Sequence, residues 1–173
     1  APPFDHLVNS YLPVLRRMGF RIDAELNRWG WYPVGGGEVI CRIAPGEADR
    51  GDFLPNAVQL LRRGALQKIA GRAVAANLPA HIPQRMTDRA RAAFSGLGIP
   101  VEIEAQCVTA ACPGAGVFLL AKYEEVDASF SALGRRGKPS EAVADEAVTA
   151  LCEHHASGAA VELHLADQLL LPL

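Results

Sequence analysis

A chain of 173 residues is long enough to bury a real core in one domain, or in two small ones. Half of its residues are apolar and 21 % are charged, which fits a globular protein and excludes a disordered one. The net charge of −2 carries no bulk electrostatic sign of a nucleic-acid binder, and no apolar run approaches the roughly eighteen residues that span a bilayer.

The elements follow in chain order. Phe4, Leu7, Val8, Tyr11, Leu12, Leu15 and Met18 repeat at helical spacing, with Asp5 early, Arg16 and Arg17 late, and Gly19 as a stop. Phe20, Ile22, Ala24 and Leu26 alternate with polar residues and predict a strand. A glycine-rich turn over 30–37 leads to a returning strand over 38–43. Pro45, Gly46, Gly51 and Pro55 mark a linker over 44–56. Strands are expected over 57–62, 65–75, 101–107 and 117–124, with a short one over 127–133. A helix is expected over 81–94, its Ile82, Met86, Ala90 and Phe94 four residues apart. Gly134 to Pro139 is a second boundary. Ser140 is an expected N-cap for a helix carrying Val143, Ala147, Val148, Leu151 and Cys152, which Ser157 and Gly158 break.

This pattern predicts an α+β fold. Residues 57–133, between the two boundaries, make a compact β-α-β-β pattern, enough for a small sheet with a helix on one face.

Several motifs carry little chemistry. The pairs Arg16-Arg17 and Arg62-Arg63, and Arg135-Arg136 with Lys138, read as solvated surface, with a phosphate-contacting patch as the alternative. Four cysteines without a C-x-x-C pair fit neither a zinc site nor a disulfide framework. Cys41 and Cys107 are expected to be buried thiols, and a reducing cytoplasm is the simplest compartment. No signal-peptide pattern opens the chain. Gly35 to Gly37 lie between two strands, so a tight turn is favoured over a phosphate cradle, which needs a helix behind it. Of His154 and His155, near a helix end, one is expected to face solvent. His81 reads as surface. No metal-ligand set and no serine or cysteine triad can be assembled.

The last segment is more informative. His164, Asp167 and Gln168 fall on one side of a helix, with leucines at 165, 169, 170 and 171 covering the rest. A flat ring, an acid and an amide so grouped suggest a small-molecule site, the plainer alternative being a polar helix side facing water.

These residues carry a resemblance. The string Trp31-Tyr32-Pro33-Val34-Gly35-Gly36-Gly37-Glu38-Val39 resembles the G-(F/Y/W)-Y-P-x-G-G-G segment of the RNA 3′-terminal phosphate cyclase family. Residues 132–139, residues 156–161 and His164-Leu165-Ala166-Asp167-Gln168-Leu169-Leu170-Leu171-Pro172 follow in that family's order. Ala1-Pro2-Pro3-Phe4-Asp5 is similar to the segment preceding one of its long helices. The resemblance covers all 173 residues and about the middle-to-late half of a family member. It implies that residues 1–45 and 135–173 form an incomplete sheet-and-helix unit of the family's large domain, with residues 57–133 as a smaller inserted α/β domain.

The resemblance implies a ligase that uses ATP to adenylylate a histidine and passes AMP to an RNA 3′-phosphate. The neighbouring 2′-hydroxyl then closes a 2′,3′-cyclic phosphate. The implied cofactors are ATP and a divalent metal, Mg or Mn, and the implied partner is an RNA 3′-phosphate end. The implied nucleotide-binding residues are His164, Leu165, Ala166, Asp167 and Gln168, with Pro2 and Pro3 flanking the base from the other side and His6 at another nearby position. His164 takes the stacking position. The family's N-terminal glycine-rich segment is missing, and so is the motif holding its nucleophilic histidine. The chain alone is therefore expected to contain no catalytic residue and to be inactive. A non-catalytic cyclase-like ribosome-assembly factor is the alternative. A small binding domain that dimerises to complete its sheet is a third.

Overall fold

The computed structural model describes residues 2–44 and 55–170. The first helical stripe forms in three consecutive pieces: α1 (Phe4–His6), a π-helical turn (Leu7–Tyr11) and α2 (Leu12–Arg17). The junctions keep right-handed helical dihedrals, so the segment is continuous. Pro13 accounts for the irregularity: it has no N–H to give to the preceding turn, and a wider turn accommodates its ring. Gly19 ends the segment at φ 97°, and the Phe20 N–H closes it by donating to the Leu15 carbonyl at 3.1 Å.

Strands β1 (Arg21–Arg28) and β2 (Glu38–Ala44) pair antiparallel, from Arg21 opposite Ala44 to Arg28 opposite Glu38. Ile22 and Ala24 of β1 lean on the helical segment, whereas every residue of β2 is exposed. In the turn, Gly35 and Gly36 adopt φ of 71° and 74°, where glycine is favoured. A Cβ on Gly30 would stand 2.3 Å from the Gly37 nitrogen. The glycines thus serve the turn.

The second sheet has four strands: β3 (Leu66–Ala76), β4 (Val101–Val108), β5 (Gly114–Tyr123) and β6 (Ala128–Leu133), in the order β4-β3-β5-β6. β3 and β4 run parallel, joined over the sheet by α3 (His81–Phe94), and the other pairs are antiparallel. Helix α4 (Ser140–Ser157) lies beside α3 on the same face. Ile69, Ile103, Val117 and Leu119 of the sheet meet Met86, Phe94, Val143 and Leu151 of the helices in one core. The division at residue 135 groups α4 with the first unit by sequence; in space it packs on this sheet. The opposite face is covered by Trp29 and Trp31, stacked 5.7 Å apart and packed with Val74 and Phe118. Helix α5 (Leu163–Leu169) returns to the first segment, where Leu165 and Leu169 join Leu12, Leu15, Met18 and Val126 in a second core.

The architecture is α+β, with two small sheets. Several expectations need correction. Residues 57–62 form no strand: Val58 and Leu60 do turn inward, but onto the second core, with no neighbouring strand to pair with. Cys41 and Cys107 are exposed, because none of the described residues covers β2 and Cys107 lies near the end of edge strand β4. Arg63 is buried, not solvated. Ser140 does not cap α4; Pro139 holds the N-cap position with no side-chain bond. Leu170 is 73 % exposed, on the far side of a helix whose Leu165 and Leu169 face the core. Residues 45–54 of the expected linker, together with Ala1, Leu171 and Pro172, lie outside the described residues.

Candidate functional site

Packing of α5 on the π-helical turn brings residues from the two ends of the sequence together. A cavity of about 670 Å³ opens where they meet the β6 edge and α4. Pro2, Pro3 and His6 form one wall. Glu162, His164 and Ala166 form a second, and Phe130, Ser131, Glu153 and His154 a third. A hydrogen bond of 2.7 Å between the Ser10 and Ser129 hydroxyls ties the first wall to the third.

The expected site residues divide as follows. Pro2, Pro3, His6, His164 and Ala166 line the cavity. Gln168 sits behind it, its Oε1 2.9 Å from His6 Nε2. Leu165 is fully buried in the second core, and its side chain is a packing residue. Asp167 is exposed and outside the cavity lining. The His6 and His164 rings meet edge to face, with centroids 6.3 Å apart at 66°. His6 thus touches both the ring and the amide of the α5 cluster.

Glu162 and His154 also line the cavity; the sequence placed His154 only near a helix end and did not mark Glu162. Glu162 is 4 % exposed and holds the N-cap position of α5, accepting the N–H of His164 at 2.8 Å and of Leu165 at 2.5 Å. An acid directly ahead of a helix start is a visible signal, since a carboxylate is favoured at the positive end of the helix. His154 is buried between the rings of Tyr123 and Phe130, with centroids 6.1 and 5.4 Å away. Its Nε2 is buried and has no hydrogen-bond partner among the described residues. Burial holds its imidazolium form below the ordinary pKa, and the nearby Arg63 charge adds to the effect. His155, one residue on, is exposed, and its Nδ1 lies 3.1 Å from the Tyr123 hydroxyl.

Arg63 fixes this wall. It donates to the carbonyls of His154 (2.7 Å), His155 (2.5 Å) and Ala159 (3.0 Å), and it lies 4.7 Å over the Tyr123 ring. The guanidinium therefore satisfies free carbonyls at the C-terminal end of α4, where a cation is favoured. Among the described residues, no group of three or more His, Cys, Asp or Glu side chains could hold a metal. None of the helices is long and apolar enough to cross a membrane, again among the described residues.

Comparison with known proteins settles the family. The profile of the RNA 3′-terminal phosphate cyclase (RTC) insert domain matches residues 61–156. A protein of Methylococcus capsulatus named RNA 3′-terminal phosphate cyclase is 52 % identical over 172 residues, covering 99 % of this chain and 46 % of the relative. The chain belongs to the RNA 3′-terminal phosphate cyclase family. Proteins of the same name from Gloeothece citriformis (43 % identical over 173 residues) and Thermococcus kodakarensis (36 % over 171) cover 100 % and 98 % of it. The chain spans about half the length of these cyclases. The insert-domain match takes in the whole four-stranded sheet with α3 and nearly all of α4. The cavity therefore lies where that cyclase insert meets the flanking segments.

Proposed function

We propose that the natural protein carrying this sequence is an ATP-dependent ligase that converts an RNA 3′-terminal phosphate to a 2′,3′-cyclic phosphate. The adenine would lie in the cavity between α1 and α5. The supporting observation is that Pro2 and Pro3 on one side, and a largely exposed His164 ring on another, border one cavity of ligand-binding size in a chain of the cyclase family. A flat base fits there: an imidazole face gives stacking, and prolines give apolar contact without losing conformational freedom.

Each residue then has a role. His164 stacks on the base. His6 braces it by edge contact and by its bond to Gln168. Leu165 anchors α5 in the core and so sets the height of the ring. Asp167, exposed one turn further on, is available to the ribose or to a segment outside this chain. ATP supplies the phosphoanhydride that makes the RNA phosphate a good electrophile. A divalent metal, Mg or Mn, would be carried by the triphosphate and would offset its charge. None of His6, His81, His154, His155 and His164 lies in the family's nucleophilic-histidine motif, and in this reading the 173-residue chain by itself would not cyclise RNA.

An oligonucleotide ending in a 3′-phosphate, incubated with ATP and the natural protein, should acquire a phosphatase-resistant 2′,3′-cyclic end, and the 173-residue chain should yield none. A non-catalytic ribosome-assembly role would leave the oligonucleotide unchanged in both cases.

A further inference from the structure

Glu162 carries a buried carboxylate inside the candidate site. Two of its acceptor positions take the backbone N–H groups of His164 and Leu165. The remaining lone pairs face two imidazoles: Oε1 is 3.5 Å from His6 Nδ1, and Oε2 is 3.4 Å from His164 Nδ1. His6 Nε2 in turn meets Gln168 Oε1 at 2.9 Å. The two backbone N–H groups are its hydrogen-bond partners, and the two rings stand beside it at ion-pair distance.

We propose that Glu162 is a positioning residue of the nucleotide site. Its carboxylate fixes the orientation and the Nδ1–H tautomer of His164 and, through His6 and Gln168, couples α1 to α5. This deepens the nucleotide reading above and rests on it. The His164 side chain is 67 % exposed and has little packing of its own to hold it. A carboxylate facing Nδ1–H sets both the tautomer and the plane of an imidazole. A ring already held in its stacking plane loses less conformational freedom when a base arrives.

The competing explanation is that Glu162 only caps α5. Glu162→Ser separates the two, because serine is a good N-cap but is too short to reach either imidazole. In the ¹⁵N-labelled 173-residue chain, the imidazole nitrogen shifts of His6 and His164 should move in Glu162→Ser, while the melting temperature stays near that of the wild type. In the natural protein, Glu162→Ser should weaken ATP binding by about threefold to tenfold, the share expected for one side chain left to be ordered on binding. Its double mutant with His164→Ala should lose less affinity than the sum of the two single losses.

Unchanged histidine shifts, or an unchanged ATP affinity alongside a preserved His164→Ala effect, would overturn the assignment. Should the serine variant melt early, Glu162→Gln decides. Its amide keeps the reach and the acceptor oxygen but loses the charge, so the histidine shifts should still move, and static shifts would overturn the proposal. If the wild-type protein binds no ATP at all, the nucleotide reading falls, whereas the ligand-free spectra still report whether Glu162 holds the two rings.

Discussion

Arg72 on β3 grips Asp5 on α1 with both prongs of its guanidinium, Nε to Oδ1 at 2.8 Å and Nη2 to Oδ2 at 3.0 Å. The same guanidinium lies 4.9 Å over the Trp29 ring. One side chain of the four-stranded sheet thus holds both the first helical segment and the end of β1. Because Pro2 and Pro3 immediately precede α1, this clamp also sets where the first wall of the cavity stands.

Breaking the clamp should be costly. The pair is partly shielded, so its loss should exceed that of a surface ion pair and approach the roughly 1.5–3 kcal/mol of charged hydrogen bonds. Asp5→Asn and Arg72→Lys should both lower stability, since lysine can neither fork onto the carboxylate nor stack flat on the indole. Urea unfolding of each variant checks this. A midpoint within error of wild type for both would show that the clamp is energetically idle.

The two leucines of α5 should behave oppositely. Leu165 is fully buried between the first helical segment and Val126, so Leu165→Ala should cost roughly 2–5 kcal/mol. Leu170 is solvent-facing, and Leu170→Ala should stay within about 0.5 kcal/mol of wild type. Thermal melts of the pair test the orientation of α5 directly, and equal losses would contradict it.

That contrast marks what the sequence could and could not disclose. Periodicity reveals helices and strands where one side is buried, as in α3, whose Met86, Ala90 and Phe94 all face the core. It does not reveal what lies opposite. Among the described residues, 57–62 alternate like a strand but have no partner strand, and Cys41 alternates within a strand exposed on both faces. The His164 cluster was legible because its polar residues share a helix. Its contacts with His6 join residues more than 150 positions apart, and its contact with Glu162 lies ahead of the helix, where no periodic signal operates. Arg63 was hidden for a similar reason, since a cap over the end of α4 leaves no spacing in its own segment.

His154 makes the stability of the chain depend on pH. Its pKa is lowered by folding, so below about pH 6.5 the unfolded chain binds a proton that the folded chain resists. Stability from this group is complete above that pH and is lost as the pH falls toward the lowered folded value. Melting temperature should therefore decrease between pH 7.5 and 5.5. His154→Phe keeps a ring between Tyr123 and Phe130 and removes the titration, so it should flatten the slope while matching wild type at pH 7.5. An equally steep slope in the variant would assign the effect to another group.

The most direct test of the nucleotide site is the affinity of the natural protein for ATP with His164 intact, replaced by alanine and replaced by tyrosine. Base stacking is worth about 1–3 kcal/mol by alanine substitution, so His164→Ala should weaken binding roughly tenfold to a hundredfold. His164→Tyr should retain most of the affinity, because it keeps a flat ring over the base. Melting temperatures should be nearly unchanged, since this side chain is largely exposed. If His164→Ala binds ATP as wild type does while its melting temperature falls, the residue is part of the packing and the cavity between α1 and α5 is not the adenine site.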